Sequence, residues 1–159
     1  MLPMKEMTRL FEAAGCTRVD TYLQSGNVVF TPPPAGLKES ALALTVPVLF
    51  RTAAELRTAL AANPYFHKGD NESKHFIMFL RDLPNPENVA SLDPGRCPGD
   101  RFTVIDREIY LDVVHAAKTK LTNAWFDSKL KTISTTRNMR TVRTLIELAT
   151  PDIGPDENS

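Results

Sequence analysis

Cysteine is nearly absent from the chain: Cys16 and Cys97 are the only two in 159 residues. They stand far apart with no Cys or His at ligand spacing beside them, which excludes a disulfide framework, a Cys-x-x-Cys redox pair and a zinc knuckle. Both read as ordinary thiols. Long apolar runs are missing too. Nothing approaches the roughly 20 residues of a membrane span. The opening Met1-Leu2-Pro3-Met4-Lys5-Glu6 lacks the cationic and then apolar order of a signal peptide, so no membrane association and a cytoplasmic location are expected. There is no Gly-x-x-x-x-Gly-Lys phosphate loop and no Gly-x-Gly-x-x-Gly fingerprint. The three histidines, His67, His75 and His115, keep no ligand spacing, so neither a cofactor nor a metal is expected.

Net charge is also lacking, with 19 basic and 19 acidic side chains, but the balance is not local. Between residues 115 and 146 lie seven cations (Lys118, Lys120, Lys129, Lys131, Arg137, Arg140 and Arg143) against Asp127 alone, a local charge of +6. From Glu147 to the end there are four carboxylates and no base. Residues 151–159 therefore read as an acidic, disordered tail.

The apolar pattern predicts alternating helices and strands. Met4, Met7, Leu10, Phe11 and Ala14 share one helix face, and Gly15 stands where that helix would stop. Val19 to Leu23 and Asn27 to Phe30 read as a hairpin around Gln24-Ser25-Gly26. A short helix is expected near Leu37 to Leu44, then a strand from Val46 to Arg51 in an early or edge position because of Pro47. Thr52-Ala53-Ala54-Glu55 has capping-box form and should start a helix that ends before Pro64.

The second half opens with a strand at His75 to Leu80 and a short helix at Glu87 to Leu92. Phe102 to Ile105 should pair with Glu108 to Val114 across Asp106-Arg107. Two helices are expected to close the chain, at Leu121 to Leu130 and along Met139, Val142, Leu145, Ile146 and Ala149. The fold class is α+β, in two small α/β units at residues 1–66 and 67–150 followed by the tail.

Three blocks carry a family resemblance: Tyr22 to Phe30, Lys118 to Trp125, and Thr135 to Asn138 with Thr141-Val142. In this order they resemble the signature blocks of domain-of-unknown-function family 1697, over about residues 1 to 149. The resemblance implies two tandem ferredoxin-like plaits with a C-terminal helix pair, in a bacterial protein, and no assigned activity. Members usually begin with a strand and an Arg-Gly-Ile-Asn-Val-Gly-Gly loop before the first helix. The present chain starts at that helix, so the first plait is expected to lack its first strand, through a misassigned start or a truncation. Thr119 stands where the family usually has Ser, and Met139 where it often has Trp.

Lys118 to Arg143 is the strongest candidate site. Helix N-termini present unpaired N–H groups and a partial positive charge, so hydroxyls and cations gathered there suit an anion. The expected ligand-binding residues are Lys120, Thr122 and Asn123 at one helix start, and Thr135, Thr136, Arg137 and Asn138 at the other. Simple N-caps on a solvated basic face account for one hydroxyl per helix, but not for this density of donors. In an antiparallel helix hairpin the two starts would lie roughly 15 Å apart, too far for one phosphate to touch both.

Three functions remain open on these grounds. One is a binding module for a phosphate-bearing ligand or nucleic acid, and another is an enzyme on a nucleotide-like substrate. The third is a partner-binding protein or homo-oligomer that pairs through an open sheet edge. Asp106, Glu108 and Asp112 share one strand face and could in principle hold a metal, although solvated or paired carboxylates are the commoner reason for such a pattern.

Overall fold

The computed structural model of the chain describes residues 3–22, 26–44 and 46–150. The turn residues Leu23, Gln24 and Ser25 and the acidic tail 151–159 lie outside them. The chain divides into two compact units, one made of Met1–Val48 and Thr144–Ser159, the other of Leu49–Arg143. Among the described residues there are five α-helices and two antiparallel sheets, an α+β fold. No described helix is long and apolar enough to cross a membrane.

In the first unit, α1 (Met4–Ala13) packs on β1 (Thr17–Tyr22), which pairs antiparallel with β2 (Asn27–Thr31). The stripe expected from the sequence is used: Met7 and Phe11 are buried, and Phe11 meets the Phe30 ring at 4.9 Å. The helix stops at Gly15 for a backbone reason. Gly15 N donates to Glu12 O and Cys16 N to Phe11 O, a Schellman closure that needs positive φ, and Gly15 has φ +96°. A Cβ there would also crowd Pro33 at 3.2 Å.

Two expectations fail in this stretch. The helix near Leu37 to Leu44 is only a 3-10 turn, Glu39–Leu42. Val46 to Arg51 is not a strand but an irregular run. Pro47 has no N–H to give a ladder, and Val48 N instead donates to the Glu39 carboxylate at 3.4 Å.

The second unit begins with α2 (Ala53–Ala61), whose capping box forms as its sequence predicts. Glu55 N donates to Thr52 Oγ1 at 3.1 Å, and Thr52 N to Glu55 Oε1 at 2.8 Å. Then follow β3 (Phe76–Leu80), α3 (Pro86–Ala90), β4 (Arg101–Ile105), β5 (Glu108–Asp112), α4 (Asn123–Leu130), β6 (Ser134–Asn138) and the start of α5 (Met139–Ala149), whose residues from Thr144 on belong to the first unit. The strands form one sheet in the order β4-β5-β3-β6, with every neighbour antiparallel. The tight turn between β4 and β5 puts Asp106 at φ +52°, a conformation aspartate tolerates.

The expected C-terminal helix pair is therefore corrected. A strand, β6, separates α4 from α5, and the first helix starts at Asn123 rather than Leu121. Ser134 to Asn138 pair residue by residue with Leu80 to Phe76. The β-branched Thr135 and Thr136 suit that extended backbone.

The pleat sends alternate side chains of the sheet to opposite faces. Met78, Leu80, Ile109 and Leu111 form one core with Leu92, Leu121, Phe126 and Leu130, supplied by α4 and by the segments flanking α3 and α4. Ile77 and Tyr110 point the other way. Tyr110 is fully buried and its hydroxyl donates to Ala59 O of α2 at 2.7 Å.

Candidate functional site

β6 is an edge strand with an unusually polar sequence, Ser-Thr-Thr-Arg-Asn, and all five of its residues are half-buried. Polar groups placed so must find partners. Ser134 and Thr136 do so on α4, through a continuous chain. Ser134 Oγ donates to Asp127 Oδ1 at 2.5 Å, Asn123 Nδ2 donates to Ser134 Oγ at 2.8 Å, and Thr136 Oγ1 donates to Asn123 Oδ1 at 3.2 Å. The first residue of α4 is thereby fixed over the strand. Thr122 caps that helix by accepting from Trp125 N at 3.2 Å. Asn138 caps α5 by accepting from Thr141 N at 2.8 Å, while its Nδ2 reaches Ser73 O at 3.4 Å.

The connection from β5 to α4 is held by Asp100, which is buried. Its carboxylate accepts from Thr119 Oγ1 at 2.6 Å and from Val114 N at 2.9 Å, and Thr119 in turn accepts from Leu121 N at 3.1 Å. The Thr119 hydroxyl is the largest cause that holds the Asp100 carboxyl below its ordinary pKa of 3.8. A carboxyl with a lowered folded pKa contributes stability above its ordinary value and loses it as pH falls through the folded one. Asp100→Asn is accordingly expected to cost about 1–2 kcal/mol at neutral pH. That deficit should shrink between about pH 5 and about pH 2, as read from urea midpoints of the two proteins. A deficit independent of pH would mean that the charge of Asp100 is not what holds the loop.

These elements line an open cleft of about 550 Å³. One wall is apolar: Phe76, Leu111, Val113, Ala116, Ala117 and Leu121. The other is polar and uncharged: Thr119, Thr122, Asn123, Thr136, Asn138 and Thr141. Arg137 is the sole charged residue of the lining, which includes no carboxylate. The alternation that aims Thr136 and Asn138 into the cleft, however, turns the Arg137 side chain, like that of Thr135, to the opposite face of β6. Its Nη1 donates to Thr135 Oγ1 at 2.6 Å and to Thr136 O at 2.8 Å. Burial lowers the pKa of this guanidinium, the mark of a cation drawn partly out of water.

Of the residues singled out in the sequence, Thr122, Asn123, Thr136 and Asn138 meet at this cleft, Arg137 borders it with its side chain turned to the Thr135 face, and Lys120 and Thr135 do not line it. Lys120 is exposed, and its carbonyl accepts from Arg96 Nε at 2.9 Å, with the Arg96 guanidinium 4.7 Å from the Trp125 ring. Thr135 lies on the opposite face of β6, where it holds Arg137. Thr141 and the apolar wall were missed. Asn138-x-x-Thr141 spacing marks a cap and could have drawn in the threonine. Phe76 reaches the cleft only because it pairs with Asn138 across the sheet, and no local pattern shows that.

The separation inferred from a helix hairpin is overturned as well. Because β6 runs back antiparallel to the chain's previous direction, the N-terminal residues of both α4 and α5 line the same cleft. The cations of the block do not all join them. Lys118, Lys129 and Lys131 are exposed, and Arg143 pairs with Glu72 at 2.7 Å. The carboxylates of β5 are likewise engaged, Glu108 with Arg51 at 3.3 Å and Asp112 with Arg101 at 2.5 Å. Among the described residues no group of His, Cys, Asp and Glu is placed to hold a metal.

No curated protein and no solved structure matches the chain. A family model does, over residues 1–110, and its description is that of a protein of unknown function, DUF1697. That span contains the Tyr22 to Phe30 block and stops before the two blocks that build the cleft. It covers well over half of the chain, which belongs to the DUF1697 family of proteins of unknown function.

Proposed function

We propose that the cleft between α4, β6 and the start of α5 binds a small anionic ligand, with phosphate as the best-suited head group. The observation that carries this reading is convergence: the N-terminal residues of two helices, Asn123 of α4 and Asn138 and Thr141 at the start of α5, line one cleft whose lining includes no carboxylate. Each N-terminus contributes partial positive charge, and the first-turn amides of Asn123 and Ala124 have no intrahelical acceptor. The hydroxyls of Thr119, Thr122 and Thr136 are already engaged within the protein, so their part is to fix the frame. The polar side chains directed into the cleft are threonines and asparagines rather than titratable groups, which supports binding over turnover. In the same reading the β3-α3-β4-β5-α4-β6 order with its β4-β5-β3-β6 sheet corresponds to a ferredoxin-like plait, and the first unit to an incomplete one.

Titration calorimetry with inorganic phosphate tests the proposal. Asn138→Asp, which can still cap α5 but puts a carboxylate into the cleft, is expected to weaken phosphate binding at least about tenfold, without a comparable loss of stability. Wild-type affinity in that variant would defeat the assignment. Binding of a single-stranded oligonucleotide that falls steeply with salt and is indifferent to Asn138→Asp would instead move the activity to the exposed lysines.

A further inference from the structure

We infer that the free edge of β4 is a self-association surface, on which a second copy of this chain lays its own β4 antiparallel and joins the two four-stranded sheets into one. The sheet ends in β4, whose five residues pair with β5 without a break. The two-residue turn fixes which backbone groups face outwards. Ile105 and Glu108 close that turn and bond each other, so by alternation Ile105, Thr103 and Arg101 direct their N–H and C=O groups to β5. Those of Phe102 and Val104 point the other way, and among the described residues none of them has a partner.

Open sheet edges are normally guarded by a proline, a bulge or a charge on the edge. β4 has no proline and no bulge, and its one charge, Arg101, is committed to Asp112 at 2.5 Å and to the Tyr65 ring at 4.8 Å. The opposite edge of the sheet is blunted. Met139 N donates to His75 O, so by alternation Thr136 faces outwards on β6, and its carbonyl is already taken by Arg137 Nη1 at 2.8 Å.

A second copy is the occupant because the edge of β4 matches itself. A two-fold axis through Thr103 sets Phe102 opposite Val104 of the second copy, and Val104 opposite its Phe102, so each pair can exchange both of its backbone bonds. An aromatic ring against a β-branched side chain is a favourable cross-strand pair, and both residues sit half-buried at the rim of the core with surface left to cover. Thr103 meets its own counterpart, its hydroxyl held by Tyr65 at 2.6 Å. At each end Arg101 stands opposite Ile105 of the second copy, one position from its Asp106, so charges of opposite sign approach and no like charges are opposed within the strands. With 19 basic and 19 acidic side chains, two copies also carry no net repulsion to overcome.

A seam of one short strand is small, so the association is expected to be reversible and to depend on concentration. Sedimentation velocity of the full chain from about 1 µM to about 1 mM should show the mean mass rise from one chain towards two and stop there, because a two-fold pairing uses up the edge. Hydrogen exchange should show the Phe102 and Val104 amides gaining protection over the same range. Thr103→Lys sets two like charges directly opposite and is expected to weaken the dimer at least about tenfold, whereas Thr103→Val keeps the branched shape and should leave it intact. A chain that stays monomeric throughout would overturn the proposal and leave the edge to a strand of a different protein. A dimer that Thr103→Lys, still folded by circular dichroism, forms as readily as the wild type would place the contact elsewhere and overturn it too. So would a dimer in which the Phe102 and Val104 amides stay open to exchange.

Discussion

Replacing Arg51 with alanine is expected to lower the stability of the protein by about 3–5 kcal/mol, the cost of breaking a buried ion pair from one side. The Arg51 side chain is only 6% exposed and that of its partner Glu108 16%. From its place just before α2, the guanidinium donates to Phe50 O at 3.0 Å, Leu80 O at 2.5 Å, Arg107 O at 3.2 Å and Glu108 Oε2 at 3.3 Å, and it lies 5.6 Å from the Phe79 ring. One side chain thus joins the entry of α2 to the adjoining ends of β3 and β5. Burial is the largest influence on both partners, lowering the pKa of Arg51 and raising that of Glu108. Desolvation therefore outweighs attraction, and the pair specifies position more than it stabilises.

A further consequence follows for acidity. Because the folded pKa of Glu108 is raised, its contribution is present below the ordinary carboxyl value and is lost as pH rises through the folded one. Without Arg51 the carboxylate loses its hydrogen-bonded guanidinium and keeps only the more distant charge of Arg107, and protonation relieves it. Urea denaturation should show the Arg51→Ala deficit in full at about pH 7 and a smaller one at about pH 4. The pair Arg51→Met with Glu108→Leu should recover about 2 kcal/mol of it as coupling energy. A deficit below about 1 kcal/mol at pH 7, in the range of an exposed pair, would show that Arg51 is not a structural tie.

What could be read from the sequence was what the chain decides locally. The Thr52-Glu55 box, the stop at Gly15 and the tight turn at Asp106-Arg107 each use residues within a few positions of one another, and each formed where expected. The caps at Thr122 and Asn138 were likewise legible as hydroxyl and amide groups at helix starts. β6 was not. Ser-Thr-Thr-Arg-Asn reads as a run of capping residues, since the same short polar side chains serve helix starts and polar edge strands. What makes it a strand is pairing with β3, some sixty residues away. Once it is a strand, alternation separates Thr135 from Thr136 and brings Asn138 beside Phe76. The candidate site was legible as a stretch of sequence, but its membership depended on that pairing. Val46 to Arg51 erred in the opposite sense: an apolar run suggested a strand, while Pro47 interrupts the ladder and Arg51 is committed to the ends of β3 and β5.

Phe126→Ala should cost about as much as Arg51→Ala, about 3–5 kcal/mol, yet differ in its effect on the cleft. Phe126 is fully buried in the core beneath α4, edge-on to Phe102 at 5.2 Å and to Trp125 at 4.8 Å. Its loss removes both aromatic contacts and leaves a void among Met78, Leu80, Leu111 and Leu121. An eight-residue helix has no stability of its own. α4 is held by Phe126 and Leu130 on its apolar side and by the Asn123 and Ser134 bonds on the other. Loosening the first puts more strain on the second, and the second is what places the Thr122-Asn123 start of the helix over the cleft. Phe126→Ala is therefore expected to lose phosphate affinity together with stability, under conditions where the variant is still folded. Asn138→Asp should lose affinity alone, and Arg51→Ala, acting on the opposite face of the sheet, stability alone. Wild-type phosphate affinity in folded Phe126→Ala would mean that the anion end of the cleft does not depend on how α4 is seated, and would leave the start of α5 as its whole foundation.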